Sequence, residues 1–514
     1  MKKTNEIPKI PADKFRFVGD ENRLHDRKFD TKEVSYLADA FGRFCKNKSS
    51  VVAAIIILLL VLYAMLVPIF CETNYSKSLT DTTYLQYTKL LPKSSLFTNM
   101  GLNFWDGASE QTLGEANFQA LQAIGVETGY DVVKGEVTTS TDEKGKVTYT
   151  SRVDSYISNG FVYMTLTPQE YESIQQWQLE NGKQVIYPAI TDKSQTDANI
   201  WYETNKKGVP QLDKEGNFQN IYRDSGNDGE YDSLRIEGDP GLENPEAEDR
   251  YRYATITGDS NNVSYKCRIF KYTYFMYRYG AEPSFLLGTN ALGQDILTRL
   301  ASGARFSFVL AICVSAINLF IGAMYGAIEG YYGGAVDMVM ERIVDVLARI
   351  PFMVVATLFQ LHLAKKVGVV PSLFFAFILT GWIGMAATTR MQFYRFKGQE
   401  YVLAARTLGA KDRRIMFRHI FPNSLGTIVT TSVLVIPSVI FSESSLTYLG
   451  IVNLESSTMT SVGTMLANGR QFLSSYPHII LFPSIFISLL MISFNLFGNG
   501  LRDAFNPSLR GVEE

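Results

Sequence analysis

Apolar and charged stretches along this chain fall in long blocks rather than alternating residue by residue. Residues 51–70, VVAAIIILLLVLYAMLVPIF, carry no charge over a length that crosses the hydrocarbon core of a bilayer. Further apolar stretches lie near 306–328, 343–363, 368–388, 424–449 and 478–498. Six membrane helices are therefore predicted, and the Gly, Pro and Ser within the later ones are tolerated where neighbouring helices re-satisfy the backbone. Residues 72–285, between the first and second apolar runs, are too long for a loop and predict a folded domain. Within this insert, 134–153 reads as two strands around a Gly-containing turn. Thr167 and Pro168 open a helix that Gly182 closes. Residues 224–249, rich in Gly, Asp, Glu, Asn and Pro, read as loop, and Tyr272, Tyr274, Tyr277 and Tyr279 alternate like a strand.

Charge gives the helices a direction. Arg43, Lys46 and Lys48 precede the first run and Glu72 follows it. About fifty polar residues come before it without a small-residue cleavage site, so it reads as a membrane helix rather than a signal peptide. Residues 389–423 hold Arg390, Arg395, Lys397, Arg406, Lys411, Arg413, Arg414 and Arg418 against Glu400 and Asp412. The positive-inside rule then puts that loop and both termini in the cytoplasm and the insert outside. Lys365 and Lys366, in a short loop on the outer side, dissent without outweighing eight basic residues.

Composition narrows the function. The 514 residues are 46% hydrophobic with a net charge of −2, and the insert alone has 20 Lys/Arg against 31 Asp/Glu, leaving the remainder at +9. This excludes a plain cytosolic enzyme and a nucleic-acid binder with an overall basic surface. Four cysteines in so long a chain are no disulfide framework, although Cys71 and Cys267 fall on the same side and can pair. The four histidines, His25, His362, His419 and His478, all lie outside the insert. With no H-E-x-x-H, nucleophile elbow or paired-Cys motif, the insert reads as an α+β interaction or gating domain, and no metal, cofactor or catalytic residue is expected. Glu443, inside an apolar run, is an intramembrane carboxylate and a candidate for the bundle interior or the pathway.

The stretch GQEYVLAARTLGAKDRRIMFRHIFPNSL, 398–425, reads as an Ala-rich amphipathic helix, a breaker at Gly409, a basic helix, and Pro422 leading into a span. Small side chains at Ala404 and Ala405 let another surface approach closely. A helix across the mouth of a bundle can act as a rigid lever, but on physics alone an ordinary basic connector fits equally well.

Ala404-Ala405-x₃-Gly409, with Pro422 thirteen residues on, resembles the EAA loop of ABC-importer permeases. GTNALGQDILTRLASGAR (288–305), ESSLTYLG (443–450) and FNLFGNGLRDAFNP (494–507) resemble elements of the C subunit of oligopeptide, dipeptide and nickel permeases, as does a GYYGG turn at 330–334. The likeness covers about 280–511 and the first span. It implies an all-α membrane domain of six transmembrane helices with the type I ABC importer permease fold, carrying an inserted α+β extracytoplasmic domain. The implied organisation is a cytoplasmic segment 1–50, a first helix 51–71, the insert 72–285, the permease domain 286–506 and a cytoplasmic tail 507–514.

The resemblance further implies that Glu400, Tyr401, Leu403, Ala404, Ala405, Leu408 and Gly409 couple to an ATPase subunit. Its partners would be a second permease in a heterodimer, two ABC ATPase subunits, an extracytoplasmic solute-binding lipoprotein, a peptide substrate and the lipid bilayer of a bacterial plasma membrane. The sequence has no G-x-x-x-x-G-K-(S/T), so ATP would be bound elsewhere. Leu403 stands where the family usually has Glu, as is common in peptide permeases. Asn290, Gln294 and Asn499 replace the usual Asp, Arg and Asp, and Val462 sits where a Trp is frequent. Arg502 and Asp503 read as cytoplasmic end-charges. Open alternatives are import of nickel or another small solute, a membrane receptor or mechanotransmission protein whose insert does the work, and a secondary transporter, for which no inverted repeat is visible.

Overall fold

The computed structural model describes residues 36–71, 87–100, 104–141, 145–189, 214, 222–223, 232–233, 252–258, 263–455 and 459–505. The chain enters through α1 (Tyr36–Lys46) and a first long apolar helix, α2 (Lys48–Cys71). Most of α2 is exposed or half-buried, with Ala53, Ala64 and Pro68 among its few buried positions. A helix so apolar and so little buried has lipid as its natural surrounding.

Among the described residues, the first helix of the insert is the short α3 (Ser95–Asn99). Strand β1 (Ala108–Gly114), helix α4 (Glu115–Thr128), β2 (Val133–Thr141) and β3 (Val147–Asp154) follow, and the three strands form an antiparallel sheet in the order β1-β3-β2. The hairpin read from 134–153 is β2 and β3. Next come β4 (Phe161–Leu166), α5 (Pro168–Asn181) and β5 (Ile186–Tyr187). Helix α5 is bounded as its sequence dictates: the Thr167 side chain accepts from Glu170 N, Pro168 opens the first turn, and Gly182 closes it with φ +62°. A pair of two-residue antiparallel strands, β6 (Tyr222–Arg223) and β7 (Asp232–Ser233), precedes β8 (Ala254–Thr257) and β9 (Ser264–Phe270). Strand β9 is the spine of a second antiparallel sheet, pairing with β4, β5 and β8. The expected loop 224–249 lies outside the described residues apart from Asp232 and Ser233.

Two sequence expectations fail in the insert. The tyrosines expected on a strand lie on α6 (Lys271–Tyr279), a helix that Gly280 ends at φ +70°. Phe275 and Met276 fill the positions between them, so the buried run is helical, with Tyr272, Thr273, Tyr274, Phe275 and Met276 all enclosed. Cys267 is a free, buried thiol in β9, opposite Met164 and Ala254, and not half of a disulfide with Cys71. Burial pushes this thiol up to about 12.

The bundle is built on α7 (Ile296–Tyr332), whose 37 residues outreach a bilayer core of roughly 30 Å at about 1.5 Å per residue. Then come α8 (Gly334–Ala348), α9 (Phe352–His362), α10 (Ala364–Val367), α11 (Val369–Gly381) and α12 (Ile383–Phe396). After α13 (Glu400–Thr407) and α14 (Asp412–Arg414), a π-helical turn over Ile415–Ile420 leads into α15 (Phe421–Tyr448). The chain closes with α16 (Val462–Gly469) and α17 (His478–Phe505).

Five stretches are long and apolar enough to cross a membrane: Lys48–Phe70, Ile296–Tyr332, Val369–Phe396, Asp412–Tyr448 and His478–Phe505. The sixth expected run, 343–363, is a broken pair in which α8 and α9 meet at 72°. Pro351 explains the break, since it disfavours helical geometry at Ile350 and has no N–H to donate. The bundle core gathers Ile296, Leu300, Phe308, Phe377, Ile440 and Leu490. Helices α7 and α12 approach closely through Gly322, Gly326 and Gly330; a Cβ on Gly326 would lie 2.1 Å from the Ala386 carbonyl oxygen.

Candidate functional site

At the bundle end remote from the insert, α13 lies between α12 and α14. Its inward residue, Val402, is fully buried in a cluster with Tyr331, Phe393, Ile415 and Ile420. Ala405 is buried too, and its carbonyl accepts from Ala410 N at 3.0 Å. Glu400, Tyr401, Leu403, Ala404 and Leu408 are exposed, Leu408 to 88%. Gly409 makes the turn at φ +82°, where an L side chain is strained, and its N–H donates to Arg406 O. A Cβ there meets nothing of this chain within 4 Å, so the turn is sterically open on its own side.

Several residues at this end were not legible as site residues. Val402 is the anchor of α13. The Tyr331 hydroxyl donates to Asp412 Oδ1 at 2.6 Å, and Arg406 Nη2 donates to Tyr331 at 3.5 Å. The signal for Tyr331 was the GYYGG turn, in which Gly333 and Gly334 have φ +65° and +56°. Lys397 Nζ donates to Gly330 O (2.9 Å), while Arg390 forks onto Asp337 (2.7 and 3.1 Å). The Tyr394 hydroxyl also donates to Asp337. The end of α7, the start of α8, the end of α12 and the 400–412 loop are thereby one hydrogen-bonded unit. Partial desolvation raises the Tyr401 phenol, whose oxygen accepts from Asn423 Nδ2 at 3.3 Å, and lowers the Lys397 ammonium.

Near the insert-side end of α15, Glu443 is fully buried, and Ser307 of α7 donates to its Oε2 at 2.8 Å. Its Oε1 has no hydrogen-bond partner among the described residues. Gly463 brings α16 against the same turn, because a Cβ there would fall on Thr447 Oγ1.

The 288–295 element forms a clamp at the insert end. Thr289 Oγ1 donates to Tyr87 O and accepts from Leu90 N, while Thr289 N donates to Leu90 O. His478 Nε2, at the start of α17, donates to Thr289 O at 3.3 Å. Gly288, at φ +77°, admits this approach, since its Cβ would stand 2.4 Å from Leu90 O. Asp295 caps α7 by accepting from Leu297 N and from the Thr298 N–H and hydroxyl; burial nonetheless raises its carboxyl. Asn290 and Gln294 face each other, Asn290 Nδ2 donating to Gln294 Oε1 at 3.1 Å. The two departures from the family's Asp and Arg therefore form an uncharged pair. Arg299 donates to Glu455 at 2.6 Å. Val462 is buried at the start of α16, whereas Asn499, Arg502 and Asp503 are exposed near the end of α17.

Residues 318–511 match the family described as binding-protein-dependent transport system inner membrane component. Residues 35–92 match the N-terminal TM domain of oligopeptide transport permease C. The oligopeptide transport system permease protein OppC of Bacillus subtilis is 41% identical over 223 residues, 43% of this chain and 72% of that protein. The dipeptide permease DppC of the same organism is 39% identical over 43% of this chain and 68% of its own length. OppC of Haemophilus influenzae is 38% identical over 45% and 72%. Among solved structures, the MetNI methionine ABC transporter overlaps 40% of this chain and 96% of its own at 14% identity and a TM-score of 0.33, and the assignment rests on the sequence matches instead. By those matches the chain belongs to the membrane permeases of binding-protein-dependent ABC transport systems, in the branch of the OppC and DppC proteins.

Proposed function

We propose that this permease imports oligopeptides or dipeptides as one half of a heterodimer with a second permease. Two ABC ATPase subunits power it, and an extracytoplasmic solute-binding lipoprotein delivers the peptide. The chain itself is not an enzyme, and the assembled complex hydrolyses ATP. In this reading 389–423 and both termini are cytoplasmic and 72–285 lies outside the bacterial plasma membrane, where it caps the entrance or meets the lipoprotein; the basic loop supports that orientation.

The observation that carries the reading is the two-faced α13. Leu403, Ala404 and Leu408 are exposed beside an open glycine turn, while Val402 roots the same helix against α7 and the start of α15. Closure of an ATPase dimer against the exposed face pushes on a lever whose other side is fixed to two spans. The names of the relatives support peptide as the cargo.

The test is peptide uptake and peptide-stimulated ATPase activity in the reconstituted complex. Leu408→Asp and Gly409→Asp should abolish both while the protein stays in the membrane at normal abundance. Normal uptake by both variants would remove the coupling role. Nickel uptake in place of peptide uptake would hand the complex to the small-solute reading.

A further inference from the structure

We infer that the insert carries its own membrane foot: residues around α3, on the insert side of the bundle, dip into the headgroup and upper acyl region of the adjacent lipid leaflet. The stretch from Ser94 to Trp105 contains no charged residue, in a block that otherwise holds 51 charges. Three of its described apolar side chains point outward, Leu96 and Met100 each 73% exposed and Phe104 59% exposed. The charges at its two ends point inward. Lys93 Nζ lies over the Tyr156 ring at 4.8 Å, and burial lowers this ammonium. Asp106 is buried, and Arg152 Nη2 donates to both of its carboxylate oxygens at 2.9 and 3.0 Å. Apolar groups facing out and charges drawn in is the reverse of what water favours at the surface of an acidic domain.

Position identifies what lies outside. Phe97, Phe104 and Trp105 form an aromatic group, with Phe104 and Trp105 edge to face at 4.7 Å. Trp105 in turn meets Phe482, in the first turns of α17, at 5.8 Å. Its indole N–H donates to Leu286 O, and its backbone holds φ +60°, a costly conformation for a bulky residue. Those constraints fix the ring at the end of a membrane helix whose exposed flank continues through Leu481, Ile485 and Leu489. Helix α2, packed beside α17 through the Tyr63–Phe486 contact, exposes Leu62, Leu66 and Phe70 toward the same end. The apolar surface of the foot is thus continuous with the lipid-facing surface of two spans. Tryptophan and phenylalanine on short amphipathic segments are suited to that depth.

The inference does not depend on the cargo or on which side of the membrane the insert occupies. Its test uses the full chain in the assembled complex, reconstituted in bilayers. Cys45, Cys71 and Cys313 are replaced by Ser, and buried Cys267 is retained. A bimane fluorophore is attached at Leu96→Cys, at Phe104→Cys or, as a reference on α5, at Leu179→Cys. Lipids carrying nitroxides near the headgroup should quench positions 96 and 104 severalfold more than position 179, and more than lipids with nitroxides near the acyl end do. Phe104→Glu should cut the quenching at position 96 severalfold. Quenching at 96 and 104 no stronger than at 179 overturns the inference. So does quenching that disappears when the binding protein is added, which would assign the patch to a protein surface.

Discussion

Ser307 donates to the Glu443 carboxylate across the α7–α15 contact. Glu443→Gln keeps an acceptor for Ser307 and should leave thermal stability in detergent close to wild type. Glu443→Leu orphans a buried hydroxyl at about 1–3 kcal/mol and should lower the melting temperature by several degrees; unchanged melting would deny the contact a structural role. Cys267 offers a second test. Its thiol is raised from 9.0 to about 12 by burial, so its folded form binds the proton more tightly than the unfolded form. Its stabilising contribution is complete below about pH 9 and is lost as pH rises toward about 12. A maleimide at neutral pH should therefore modify exposed Cys45 and spare Cys267 until denaturant is added; labelling of native Cys267 would contradict the burial. The sequence suggested this thiol as a partner for Cys71 because both fell on one side of the membrane, but a shared side fixes no distance. Its place inside a four-stranded sheet comes from pairings with β4 and β8, which no local pattern announces.

Among the helices, those with complete start and stop signals were the legible ones. Thr167, Pro168 and Gly182 delimit α5 almost to the residue. The long apolar runs likewise mark five spans, although α7 and the 412–448 helix extend well past them, because polar turns continue a helix once packing holds it. Helix α6 was misread because tyrosines two apart imitate a strand, and only the fold of the insert buries the residues between them. The break between α8 and α9 was also missed, since hydropathy averages over Pro351. The Gly322, Gly326 and Gly330 row gives a prediction at this scale. Gly326→Leu would drive a side chain into the Ala386 backbone and should separate α7 from α12, reducing the amount of folded protein recovered from membranes. Gly384→Ala, on the same helix pair but with open space around it, should be tolerated. Equal recovery of the two variants would argue against close helix approach.

For the molecule as a whole, orientation is the testable expectation. Protease added to intact protoplasts should cut within 72–285 and leave 389–423 whole, and the reverse pattern would invert the topology and the proposed coupling with it. Neither the docking of the insert nor its placement above α7 and α17 could be read from the chain. Both arise from contacts between residues nearly two hundred or more apart in sequence, such as Thr289 with Leu90 and with His478. That joint has a geometric consequence. Because the insert's neck, the start of α7 and the start of α17 share Thr289, these two spans cannot splay freely where they meet. A conformational change must then swing them from this end as a compass opens from its hinge. Helix α7 has 37 residues and is roughly 55 Å long at about 1.5 Å per residue, so a tilt of about 10° about the joint carries Tyr331 through an arc of roughly 10 Å. Small angular changes at the insert become large excursions at α13, and a stroke delivered at α13 returns to the insert as a fine rotation.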